Sequence, residues 1–279
     1  MTSHSYRERK TPEPTADAVA ALLIRAQNGD ADAQYQLGEI FRIGEVVPVD
    51  YAEALRWLHA AAQQNHPHAQ NNLGSMYLNG MGTNNDPEEA VTWYRKAAEL
   101  GQLDAEFNLA LRYLHGDGVA IDATEAARWL QEAACQGHVE AIGQLGTLYR
   151  FGNGVQQNFV HAAEHHVIAA MEGDVTSIGN LQDYQDEIEK AAMAGSVVAV
   201  LCIAKMYDRG LAVAKDKAHV YAWLQWAKQH GTTDNDDDAL SELAEWERFE
   251  SMTIPEDEKQ QGEKLLAQMN AAEKEGKKC

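Results

Sequence analysis

An internal period of 36 residues dominates the sequence and leaves few folds open to it. Gly29, Asn65, Gly101, Gly137 and Gly173 stand 36 residues apart, and Gly195 and Gly231 repeat the interval. Between the two series lies a unit of only 22 residues. Ala33, Ala69, Ala105, Ala141 and Ala199 follow their boundaries by four positions, and Leu37, Leu73, Leu109, Leu145 and Leu181 by eight. Phe41, Tyr77, Tyr113, Tyr149 and Tyr207 keep an offset of twelve, and Trp57, Trp93, Trp129 and Trp223 one of 28. Units this short cannot each bury an apolar face, so they must stack on their neighbours.

Each unit reads as two helices. In the third, Ala105, Leu109 and Tyr113 form one stripe over Leu103–His115, the spacing of a helix face. Gly116 and Gly118 then break the helix, since glycine accepts the positive φ of a C-cap or tight turn. Asp50, Asp86, Asp122, Asn158 and Asp216 occupy one slot before the second helices, where a side-chain oxygen can accept from free amides. The boundaries imply a loose N-terminus (1–14), a capping helix (15–28) and five units over 29–194, the fifth truncated at 173–194. A sixth unit (195–231), acidic capping helices (232–270) and a loose tail (271–279) complete the expected layout.

The periodicity resembles the Sel1-like repeat family, a relative of tetratricopeptide arrays. The resemblance rests on DAEFNLALRYLHGDGVAIDATEAARWLQEAACQG (Asp104–Gly137) and HAQNNLGSMYLNGMGTNNDPEEAVTWYRKAAELG (His68–Gly101), and more loosely on Gly195–Gly231. It implies an all-α, right-handed α/α superhelical solenoid of helix-turn-helix repeats of about 36 residues, and says little of function, because the shared residues are packing residues. Departures are visible. Val46 replaces a loop glycine, Ala110 a helix glycine, and His165 the tryptophan of unit four. Shortened helices and a change of direction, or else a flexible break, are expected at unit five.

In arrays of this type the first helices line the concave side, and offsets 3, 7, 10 and 14 are free of packing duty. On that face Gln36, Glu39, Asn72, Asn79, Asn108, Leu111, His115, Gln144, Phe151, Lys205 and Arg209 are candidate partner-binding residues. The amides of Gln36, Asn72, Asn108, Gln144 and Asn180 either hold a partner segment or bridge neighbouring helices. Leu111 and Phe151 are apolar groups on a solvated face.

The chain carries 43 acidic side chains against 23 Lys plus Arg, a net charge of −20. This argues against a nucleic-acid partner, whose phosphates need clustered cations, and favours a basic one. Thr232–Glu258 alone holds eleven acids and one Arg248. Its candidate docking residues are Asp234, Asp236, Asp237, Asp238, Glu242 and Glu245, although carboxylates also suit a helix start.

Motifs for chemistry are absent: no GxxxxGK[ST], no GxGxxG after a strand, no GxSxG and no HExxH. His161 and His165 share a helix face, and His165 is expected to pack or to make a buried hydrogen bond. No catalytic residue, cofactor or metal is expected. The longest apolar stretch near the N-terminus is Ala18–Ile24, too short to span a bilayer, so a cytoplasmic location is expected. The reading is a non-enzymatic scaffold or adaptor for a protein or peptide. The alternative, drawn from the family resemblance, is a cytoplasmic immunity protein that neutralises a basic toxin or effector enzyme. The oligomeric state is left open.

Overall fold

The computed structural model describes residues 16–230 and 237–276. All elements in these residues are α-helices, joined by short turns. They form two compact units, Met1–Asp122 and Ala123–Cys279. Asp234, Asp236 and residues 1–14 lie outside the described residues.

The first unit holds α1 (Ala16–Gln27), α2 (Ala31–Ile43), α3 (Tyr51–Ala62), α4 (Pro67–Asn79), α5 (Pro87–Glu99) and α6 (Leu103–His115). Each packs on the next in sequence, as short loops between antiparallel neighbours require. The second unit holds α7 (Ala123–Cys135), α8 (Val139–Phe151), α9 (Phe159–Met171), α10 (Val175–Asp183), α11 (Gln185–Met193), α12 (Val197–Arg209) and α13 (Lys217–His230). Helices α14 (Asp237–Thr253) and α15 (Glu256–Gly276) end it.

The period sets the helix ends through capping. Before the first helices, Asp30, His66, Gln102, His138, Asp174 and Ser196 each accept a hydrogen bond from an early backbone N–H. Asp50, Asp86, Asn158 and Asp216 do so before the second helices. Gly44, Gly80, Gly116, Gly152 and Gly210 close the first helices with φ between 65° and 79°, a region open to glycine.

Close packing explains the glycines at one offset inside the first helices, Gly38, Gly74 and Gly146. A Cβ on Gly38 would lie 2.7 Å from Leu58, on Gly74 2.7 Å from Tyr94, and on Gly146 2.8 Å from His166. Leu58, Tyr94 and His166 share one offset, so one small residue admits one large side chain from the partner helix in each repeat. Trp57, Trp93 and Trp129 are at least nine-tenths buried. Arg56, Lys96 and Arg128 cover their rings at 3.9–4.1 Å.

Two slots of the glycine pattern hold other residues in the left-handed region: Asn65 at φ 59° and Ala212 at φ 63°. Asparagine tolerates it, but alanine is strained there by about 1–2 kcal/mol. Ala212→Gly is therefore expected to stabilise the protein by about 0.5–1 kcal/mol after the entropy cost of glycine, read as a higher urea midpoint at unchanged slope.

The truncated repeat forms two nine-residue helices, α10 and α11, separated by Tyr184 alone. Helix α9 packs on α10, α11 and α12, and one buried cluster runs from Ala162 to Leu266. The array is thus continuous across the short unit, with α9 packed on both α10 and α12. Helix α15 continues to Gly276, so the tail expected from 271 is corrected. Asn270 donates to Gln229 and His230 approaches Glu273 at 3.3 Å, contacts that hold this stretch against α13.

Candidate functional site

In the first unit, the free offsets of α2, α4 and α6 face one way and are partly tied together. Arg42 clamps Glu39 at 2.6 and 2.8 Å, and the same carboxylate accepts from Asn72 at 2.7 Å. Asn72 accepts from Asn71, whose own carbonyl oxygen accepts from Asn108 at 3.0 Å. These bonds cross three helices, so Asn72 and Asn108 serve as bridges between repeats. Gln36, Asn79 and His115 are exposed, and Leu111 is half-buried. Asn79 donates back to the Ser75 carbonyl.

Beside this face, Tyr35 stacks on His66 with centroids 4.6 Å apart, and His68 lies 5.9 Å from both rings. His66 Nδ1 accepts from Ala69 N–H while Nε2 faces Asp32 at 3.3 Å. Burial holds its pKa below the usual histidine range. The neutral ring suits its capping role, because imidazolium has no acceptor.

In the second unit, Gln144 is half-buried, and Phe151 is 64% exposed with the Arg150 guanidinium 4.9 Å from its ring. The free offsets of α12 are Val198, Cys202, Lys205 and Arg209, and they meet α14. Lys205 Nζ lies 2.8 Å from Glu242. A cavity of about 300 Å³ is lined by Glu164, Val198, Cys202, Lys205, Asp238 and Glu242, among others. The next turn opens a second cavity of about 380 Å³ between Asp208, Arg209, Glu245 and Trp246. In repeat six, then, first-helix residues and acidic-end residues form one place. The period could not reveal this, because α14 does not repeat.

The sequence also missed a buried polar network. His165, the residue in the tryptophan slot, is half-buried with Nδ1 2.8 Å from the His161 carbonyl. The buried histidine is its neighbour His166, fully shielded from solvent. Its Nδ1 lies 2.7 Å from the Tyr184 hydroxyl, and its Nε2 lies 3.2 Å from Asn180 and 3.3 Å from Thr147. Arg150 extends the network to Asn180 and, at 3.1 Å, to Asp183. Burial, joined by the nearby charges of Arg150 and His165, pushes His166 down to about 4. Repeat two holds a simpler polar contact at the same offsets, where the Tyr94 hydroxyl lies 3.0 Å from Ser75 Oγ.

Four successive segments match the Sel1 repeat model: residues 31–66, 67–102, 103–138 and 139–174. The chain belongs to the Sel1 repeat family. The segments begin where α2, α4, α6 and α8 begin. The truncated and sixth repeats lie beyond the match. A comparison with curated proteins returned no match.

Among solved structures, this Sel1 repeat protein is similar to a protective antigen of uropathogenic Escherichia coli strains displaying an SLR fold. The two share 28% identity and a TM-score of 0.59 over 90% of this chain and 56% of that one. The chain thus spans little more than half the length of that relative. A Sel1 repeat protein from Oxalobacter formigenes is similar at 27% identity and TM-score 0.57, over 90% of this chain and 93% of that one. Sel1 repeats are in general protein-interaction modules. Among the described residues, no helix is long and apolar enough to cross a membrane.

Proposed function

We propose that this chain is a non-enzymatic scaffold that captures a basic protein partner on the exposed first-helix positions within each unit, the acidic surface of α14 adding to those of the second unit. The observation that carries this reading lies in repeat six. There the free first-helix offsets already seat a helix, α14, through the 2.8 Å Lys205–Glu242 pair. The corresponding offsets in other repeats present exposed Gln36, Asn79, His115 and Phe151. A face that accepts one helix within the chain is fit to accept a segment of another protein. The net charge of −20 adds long-range attraction for a basic partner.

Affinity capture with the intact protein tests this, read by mass spectrometry beside a Gln36→Arg/His115→Arg variant, both positions being exposed. The expected result is a protein enriched by the parent and lost by the variant, since cations at these positions repel a basic surface. Undiminished capture by the variant contradicts the assigned face. A single stoichiometric basic enzyme would make the scaffold a dedicated inhibitor, the role of an immunity protein. Several partners sharing a short segment would make it an adaptor.

A further inference from the structure

The cavity between α9, α12 and α14 combines two features that a surface ion-pair cluster lacks: a concave volume open on one side and an aliphatic wall. Val167, Ile168, Val198 and Leu201 supply that wall, and the volume is about 300 Å³. Ile168 is nonetheless 41% exposed, so the wall reaches solvent along α9. Carboxylates of Glu164, Asp238 and Glu242 stand around it against one ammonium, Lys205, 2.8 Å from Glu242. The Cys202 thiol also lines it, and burial pushes that thiol up to about 12, so it adds no charge near neutral pH.

We propose that this cavity receives one lysine or arginine side chain of a partner protein, its aliphatic stem against the α9 and α12 wall and its charged head among the carboxylates. Long basic side chains bury their stems and keep their heads at polar groups, which matches the division of this lining. An anionic ligand would meet a surplus of carboxylates. A wholly apolar one would strip water from them without compensation. The volume lies at the small end for ligand sites, suited to one side chain rather than a large cofactor. The inference gives chemistry to the scaffold reading and rests on it only for its biological use.

Methyl NMR of the full chain, titrated with N-acetyl-lysine amide and N-acetyl-arginine amide, tests the site without any partner. Saturable shifts are expected at the methyls of Val167, Ile168, Val198 and Leu201 with at least one of these probes. N-acetyl-norleucine amide, which keeps the stem and lacks the charge, should bind about tenfold more weakly. Glu164→Gln leaves the Lys205–Glu242 pair intact and should weaken binding about fivefold, the scale of one solvent-accessible charge pair. Glu263→Gln, on the exposed side of α15, should change nothing. Equal binding of the norleucine probe, unsaturable shifts spread over exposed carboxylates, or indifference to Glu164→Gln would overturn the proposal. None of those results would bear on whether the first-helix face of the other unit captures a protein.

Discussion

Gly154→Ala is expected to destabilise the protein by about 4 kcal/mol, several times the effect of the same change at Gly137. Both glycines lie in the left-handed region, at φ 74° and 87°, so both substitutions carry the strain of about 1 kcal/mol or more that a Cβ meets there. Their surroundings separate them. No atom lies within 4 Å of a Cβ built on Gly137, whereas a Cβ on Gly154 would lie 2.1 Å from the Ala123 carbonyl oxygen. That oxygen belongs to the first turn of α7, so relief requires the loop and helix start to move apart. Overpacking against backbone adds about 3 kcal/mol. Gly118, with a Cβ position 2.1 Å from the Pro87 oxygen, should behave like Gly154. Urea unfolding of the three variants checks this, and equal losses at Gly137 and Gly154 would contradict the close packing of loop on helix.

Acid should weaken the fold well before its carboxylates are protonated. His166 is held at about 4 in the folded chain, against about 6.5 when unfolded. Between those values the unfolded state binds a proton that the folded state refuses, so stability falls as pH drops. Over the full window the loss from His166 is about 3 kcal/mol. His59 and His66, also lowered by burial, add in the same direction. The lowered carboxyls of Asp30 and Asp216 act at more acidic pH, where their protonation removes stability that is present above it. Leucine occupies the His166 slot as Leu58 in repeat one and Leu130 in repeat three. His166→Leu with Tyr184→Phe removes both ends of the 2.7 Å contact. Urea titrations from pH 7 to about pH 4 should show the double variant losing about one proton less of pH dependence. An unchanged slope would place the acid sensitivity elsewhere.

What the sequence made legible was whatever recurs. The interval placed Leu103–His115 as a helix and marked Asp86 and Asn158 as caps. It also marked 173–194 as short, since a deficit against a fixed period is visible without coordinates. Features outside the period were not legible. Nothing repeats in α14, so its place over Lys205 and Arg209 emerged only in three dimensions. The histidine of interest was displaced by one residue: His165 stands in the tryptophan slot, but Gly146 opens space for His166. The amide ladder was visible as a pattern, while its use was decided by geometry, with Asn72 and Asn108 engaged between helices and Gln36 left to solvent.

Site-directed photo-cross-linking reads out which helix positions a bound partner touches. Benzoylphenylalanine placed at Gln36, Asn79 and His115 probes the exposed first-helix positions, and at Thr92 and Gln131 the exposed second-helix positions. In the cells that make the protein, a discrete cross-linked product is expected at the first-helix positions and none at Thr92 or Gln131. Products of equal yield at both sets, or at Thr92 and Gln131 alone, would contradict capture on the first-helix face.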